Sequence, residues 1–252
     1  MADHPHDADL RRDLAFACRI LAAEGQGDNI FGHVSARLPG SDRFWMKPAR
    51  LGLDEIQPDD LLLLDLSGQV LAGRHPRHEE FPIHAEVFRA RPEVHCVVHT
   101  HPRYSIAFAA RGVQLRPVSH EGSFFWPPGV AVFDAFTDLV RTAAQGRAVA
   151  ATLGRQTALF LRNHGIVVAH LTIHEAVWAA LSLERAAELQ LLAQPSLDGV
   201  LLHTPEDEAR QKQAIWSSVR ARAVFEYYVR RLNEFPGGDP RARRVQPRRG
   251  RG

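Results

Sequence analysis

The stretch Val94-His95-Cys96-Val97-Val98-His99-Thr100-His101-Pro102 constrains this chain more than any other. Its apolar centre suits a buried strand, and Pro102 ends the hydrogen-bonding ladder. Residues two apart on a strand point to the same side, so His99 and His101 share a face while Thr100 looks the other way. Two imidazoles at an accessible strand end can converge on one ion of zinc, iron, cobalt or manganese. The same pair can also be structural, so a third donor has to be sought.

His164 is the candidate. It sits in Leu161-Arg162-Asn163-His164-Gly165, between the apolar runs Thr157–Leu161 and Ile166–Ala169. Alone, it reads as a turn histidine bonded to backbone. Combined with His99 and His101, it completes a three-histidine set that leaves a coordination position open, as catalysis requires and a structural zinc site does not. Glu80 lies upstream, where Pro82 fixes the first turn of a helix expected over Glu80–Arg91. A carboxylate there can simply favour the helix dipole, and neighbouring Glu79 fits that role better. Glu80, held rigid at the helix rim, suits a proton carrier or a fourth ligand.

Other elements follow from periodicity. Helices are expected over Asp9–Glu24 (stopped by Gly25 and Gly27), Tyr104–Ala110, Val132–Ala144, Thr172–Gln194 and Glu206–Phe235. Strands are expected over His33–Leu38, Arg43–Met46, Leu61–Leu64 and Gln69–Leu71, besides those flanking the histidines. Central strands with helices at both ends predict one domain over residues 9–235, a single three-layer α/β/α sandwich with a mostly antiparallel sheet. Residues 1–8 and 236–252 are expected to be disordered.

The chain has 252 residues, 45% of them hydrophobic, enough for one sizeable core. Its formal net charge of +2 owes much to a tail holding Arg241, Arg243, Arg244, Arg248, Arg249 and Arg251. No aromatic residue interleaves these arginines, so a solvated tail is expected and no nucleic-acid partner. Cys18 and Cys96 lie in apolar surroundings and read as reduced core thiols. No apolar run of about 18 residues exists and the N-terminus is polar and acidic, so neither a membrane span nor a secretory signal is expected. A cytoplasmic protein is the expectation.

The strings Gly-His-Val-Ser-Ala-Arg from Gly32, Glu-Phe-Pro-Ile-His-Ala-Glu-Val from Glu80, Val-Val-His-Thr-His-Pro from Val97 and Asn-His-Gly from Asn163, in this order and spacing, resemble the class II aldolase/adducin family. The resemblance runs from about Arg11 to Asn233. It implies the same α/β/α sandwich, a homotetramer with sites at subunit interfaces, and a divalent metal on His99, His101 and His164 with Glu80 as catalytic acid/base. Zinc is the first choice, with Fe(II), Mn(II) or Co(II) as alternatives.

The phosphosugar aldolases of that family bind phosphate with an asparagine, a Thr-Gly loop and a serine pair before the glutamate. This chain carries His33, Lys47-Pro48, and His78-Glu79 at those places. Glu79 would repel a phosphate, and the small hydroxyl donors are missing. An unphosphorylated hydroxy- or oxo-carboxylic acid, aromatic acids included, is therefore the expected substrate. His33, Ser35 and Lys47 are candidate substrate-binding residues, joined by His120 and Glu121; Arg37 is either a further anion donor or half of a structural ion pair. Phe124-Phe125-Trp126 reads as packing or as a pocket wall. His120, Glu121, Tyr227 and Tyr228 are candidate second proton donors. The pattern resembles the branch of aromatic-acid decarboxylases and iron-dependent prenyl-hydroxyphenylpyruvate oxygenases, implying decarboxylation or retro-aldol cleavage. An iron oxygenase acting on a 2-oxo acid and a non-catalytic adducin-like interaction module are the alternatives.

Overall fold

The computed structural model describes residues 5–193 and 200–234. Eight strands form one sheet: β1 His33–Ala36, β2 Arg43–Met46, β3 Leu62–Asp65, β4 Val70–Ala72, β5 Cys96–Thr100, β6 Ala131–Phe133, β7 Ala158–Leu161 and β8 Gly165–His170. Their order is β4-β3-β2-β1-β5-β8-β7-β6, antiparallel throughout except for the β6–β7 pair. The helices are α1 Pro5–Leu21, α2 Phe81–Ala90, α3 Arg103–Ala109, α4 His120–Phe124, α5 Ala143–Leu153, α6 Ile173–Ala193, α7 Glu206–Gln213 and α8 Ser218–Glu234.

Period-two alternation divides the strand residues between two cores. Val34, Ala36, Cys96, Val98, Ile166 and Val168 join α1, α6 and α8 on one face. Phe44, Met46, Leu64, Val97, Leu159 and Val167 join α2 and α5 on the other. The result is the expected three-layer α/β/α sandwich. Since Val34 and Ala36 face α1, the intervening His33 and Ser35 face α2. The small residues of α6 (Ala176, Ala179, Ala180, Leu183 and Ala187) are all buried, as their spacing predicts. Cys18 and Cys96 are free and buried.

Three expectations are corrected. Val132–Ala144 is not a helix: Ala131–Phe133 is β6, parallel to β7, and the helix begins only at Ala143. The β-branched and aromatic side chains of Val132 and Phe133 suit a strand. The helix start is set by a reciprocal cap, in which Thr142 accepts from the Gln145 N–H and Gln145 accepts from the Thr142 N–H. The long helix expected over 206–235 is two helices. Between them Trp216 stacks on Trp178, ring centroids 3.9 Å apart, and Ser218 donates to Glu175 at 2.5 Å. Tertiary packing there overrides local helix propensity. Finally, α1 begins at Pro5, so residues 5–8 are helical rather than disordered. The tail carrying the arginines lies outside the described residues. Among the described residues, no helix is long and apolar enough to cross a membrane.

Two close approaches position α2. Gly146 of α5 lies against it so tightly that a Cβ would fall 2.5 Å from the Pro82 carbonyl oxygen. At the far end the Arg37 guanidinium, stacked on Phe88, donates to the carbonyls of Phe88, Arg91, Pro92, Val94 and Ser41. Among the described residues Arg37 makes no ion pair; it satisfies the orphan carbonyls at and beyond the helix C-terminus.

Candidate metal centre

His99 and His101 emerge on one side of β5 at its C-terminal end, while Thr100 turns to the opposite face and donates to the Gln26 side-chain oxygen at 2.7 Å. Gln26 in turn donates to the Ala180 carbonyl of α6, so the back of the strand is anchored. His164 arrives from the turn joining β7 to β8. Asn163 takes φ 57°, a left-handed conformation that asparagine tolerates, and Gly165 follows. A Cβ on Gly165 would lie 2.4 Å from the Thr100 carbonyl oxygen and 2.8 Å from His101 Cδ2. Only glycine lets the turn approach the His-Thr-His strand this closely. Glu80 occupies the N-cap position of α2 without a side-chain cap bond, with Pro82 in the first turn as expected.

Ligand atoms of Glu80, His99, His101 and His164 all lie within 4.8 Å of one another. Glu80 Oε2 is 3.7 Å from His99 Nε2, and Glu80 Oε1 is 3.7 Å from His164 Nε2. These separations exceed hydrogen-bond range. Oε1 is fixed by the Val140 N–H at 2.9 Å.

The proton positions follow from the partners. His99 Nδ1 meets the Ile166 carbonyl at 2.9 Å, and His101 Nδ1 meets an Asp28 carboxylate oxygen at 3.1 Å. Both partners are pure acceptors, so each Nδ1 carries the proton and each Nε2 presents a lone pair. The two Nε2 atoms are 3.1 Å apart. Two lone pairs facing at that distance repel unless a positive centre sits against both. His164 Nε2 is buried without a hydrogen-bond partner, a third donor atom awaiting the same centre. Burial depresses all three imidazoles: His99 well below the ordinary value, His164 down to about 4, and His101 less because Asp28 opposes the shift. They are neutral at pH 7, the form that binds a cation. Burial pushes the Glu80 carboxyl up to about 7. The donor set therefore fits a divalent metal.

Of the other expected residues, His33 reaches the site, its Nε2 3.7 Å from Glu80 Oε2. Ser35 lies deeper, its Oγ 2.6 Å from His84 Nδ1. Lys47 is buried near Cys18 and spends its Nζ on the Ile30 carbonyl at 2.6 Å; burial lowers its pKa to about 8. Its charge lies close enough to act on His33 and His78. His120 is exposed on α4, and Glu121 lies near Arg185, which bonds Glu24 and the Tyr228 hydroxyl. Among the described residues, no hydrogen bond or ion pair links His120, Glu121, Tyr227 or Tyr228 to the histidines. Phe124 packs on Phe125 and Trp216, and Arg116 covers Trp126, so the aromatic run is packing.

Sequence reasoning missed Asp28 and His84, and read His78 only as a departure from phosphate binding. His84 follows Glu80 by four residues, one helical turn, and that spacing was the available signal. Asp28 lies 73 positions from His101 and shows no local pattern.

A family model of the class II aldolase and adducin N-terminal domain matches residues 12–191. This chain belongs to that family. The class II aldolase-family chain is 29% identical to the 3,4-dihydroxyphthalate decarboxylase of Arthrobacter keyseri over 240 residues, 90% of this chain and 95% of that protein. It is 35% identical to the decarboxylase NovR of Streptomyces niveus over 192 residues, 75% of this chain and 71% of NovR. Its fold is similar to the L-fuculose 1-phosphate aldolase of Glaciozyma antarctica PI12, with a TM-score of 0.79 and 26% identity, covering 93% of this chain and 95% of that one.

Proposed function

We propose that this chain is a divalent-metal-dependent carbon–carbon lyase acting on a small unphosphorylated hydroxy- or oxo-carboxylic acid, with ortho-hydroxy aromatic acids as the leading class and decarboxylation as the leading reaction. The observation that carries this reading is the pair of Nε2 lone pairs on His99 and His101, facing each other 3.1 Å apart with both Nδ1 protons committed elsewhere. The decarboxylase relatives support the reaction class. His33 in place of the phosphate-binding asparagine, with Glu79 nearby, supports an unphosphorylated substrate.

His99, His101 and His164 would hold the cation, with Glu80 beside them; zinc is the first choice. When bound, the ion supplies positive charge against the electron pair left by carbon–carbon cleavage. The protein's own groups do the rest. The Glu80 carboxyl protonates the ring carbon that bears the carboxylate while the ortho oxygen takes the ketone form. The carbon–carboxylate bond then breaks, carbon dioxide leaves, the bonding pair restores the ring and returns the charge to the ortho oxygen, and Glu80 regains its proton from solvent. Burial favours the protonated form of this carboxyl in the metal-free chain, and a cation beside it would ease release of the proton. The Val140 N–H fixes Oε1 and leaves Oε2 turned toward His33 and His99. Assembly of identical copies belongs to the same reading, and exposed Ile30 and Phe31, close to Asp28 in sequence, offer apolar surface for it.

The test is elemental analysis of the purified protein together with carbon dioxide and aldehyde release from a panel of hydroxy and oxo acids. One metal per chain and turnover lost together in His101→Ala are expected. Protein without stoichiometric metal would mark a non-catalytic interaction module. Dioxygen consumption with Fe(II) and a 2-oxo acid, without lyase turnover, would move the assignment to an oxygenase.

A further inference from the structure

Beneath Glu80, on the α2 side of the sheet, lies a chain of polar groups that metal binding does not use. His33 Nδ1 is 2.6 Å from His84 Nε2, and His84 Nδ1 is 2.6 Å from Ser35 Oγ. All three side chains are fully buried. The far end, His33 Nε2, has no hydrogen-bond partner and points toward Glu80 Oε2 at 3.7 Å. β1 supplies His33 and Ser35 from one face, and α2 inserts the His84 ring between them.

Two arrangements of protons satisfy the inner contacts, and the ends decide between them. If Ser35 accepted from His84, its own hydroxyl proton would be buried with no acceptor among the described residues. His33 would then aim a lone pair at the oxygens of Glu80. If Ser35 donates, its proton goes to His84 Nδ1, His84 Nε2–H goes to His33 Nδ1, and His33 is left with a proton on Nε2. Every inner donor is then used, and the outer N–H, which has no partner of its own, faces a carboxylate oxygen 3.7 Å away. Each arrangement leaves one buried donor unpaired, but the first also turns the His33 lone pair on the Glu80 oxygens, so the second arrangement is favoured. Both rings are fully buried and contact no carboxylate within hydrogen-bond range, so each carries a single proton.

We propose that Ser35 and His84 are positioning residues that lock His33 as an Nε2–H hydrogen-bond donor, aimed at an anionic oxygen of the substrate bound against Glu80. The proposal rests on the lyase reading for its substrate, an acid with a carboxylate or phenolate oxygen. It also bars His33 from ligating a second cation alongside His78 and Glu80, whose donor atoms cluster nearby, because its only inward atom carries a proton.

The test is long-range proton–nitrogen NMR on zinc-reconstituted protein labelled at histidine nitrogen, with 3,4-dihydroxybenzoate as the probe ligand. His33 and His84 should both show protons on Nε2, and the probe should move the His33 Nε2–H resonance. In Ser35→Ala, which removes only a hydroxyl, the His84 and His33 protons should redistribute between their two nitrogens. Metal content should stay intact, with kcat/KM down about tenfold, the effect of one lost charge-assisted hydrogen bond. Ser35→Thr, which keeps the hydroxyl, should restore the wild-type nitrogen pattern. A His33 proton on Nδ1 in the wild type, or unchanged nitrogen patterns in Ser35→Ala, overturns the proposal. Expected proton positions and probe binding in a protein that cleaves no carbon–carbon bond uphold it and overturn only the lyase reading.

Discussion

At the scale of single residues, the site depends on what each histidine's second nitrogen does. Asp28 commits His101 Nδ1 and the Ile166 carbonyl commits His99 Nδ1, so both rings present the same nitrogen inward. Asp28→Asn keeps the shape, removes the charge and can turn its amide toward the ring, freeing the tautomer. Metal affinity should fall about 10–100-fold, read by competition with a chromogenic chelator, with little change in melting temperature because the Asp28 side chain is 42% exposed. Glu80→Gln should instead retain the metal and cut turnover by about 10²–10⁴, since the lost function is proton transfer. Metal content by elemental analysis beside the steady-state rate separates the two. A Glu80→Gln protein that loses its metal would make Glu80 a structural ligand first.

At the scale of elements, the site is a meeting of a strand end, a tight turn and a helix start. Gly165 sets how closely the turn meets the strand. Gly165→Ala should push on Thr100 and His101, destabilise the fold by about 1–3 kcal/mol and lower metal occupancy. Thermal melts with metal titration would check it, and an unperturbed variant would show that the contact can relax. These three elements were legible in the sequence because each has a local mark: period-two spacing in His99-Thr100-His101, Asn163 and Gly165 around His164, and Pro82 after Glu80. The β6 strand was hidden because three residues carry too short a pattern, and the start of α5 because the Thr142–Gln145 reciprocal cap went unread. The break before α8 depends on Trp178, 38 positions from Trp216, which no local window contains. Lys47 was placed in the site by analogy of position; its ammonium is held by the Ile30 carbonyl while its charge reaches His33 and His78, and Glu121 lies near Arg185.

At the scale of the whole molecule, the histidines set the response to acid. His33, His78, His84, His99, His101, His164 and His170 all have folded pKa values below the ordinary 6.5, through burial first. Below 6.5 the unfolded chain takes up these protons while the folded one does not, so stability falls as pH is lowered from about 6.5 toward 4. Each such group contributes at most about 1.4 kcal/mol per pH unit. The raised carboxyls of Glu80 and Glu184 act oppositely, binding protons in the folded state, but they are two against seven. Urea titrations of metal-free protein across this range should show a steep acid loss, and a flat profile would mean that the rings are open to solvent. The metal, bound by neutral imidazole, should move the loss to lower pH. Helix α2 completes the picture: Arg37 grips one end and Gly146 lets α5 brace the other. Ten residues of helix span roughly 15 Å, so the brace reaches the carboxylate like a rigid strut. Loosening Arg37, which touches no ligand atom, would misalign Glu80 from a distance and silence an otherwise complete set of donors.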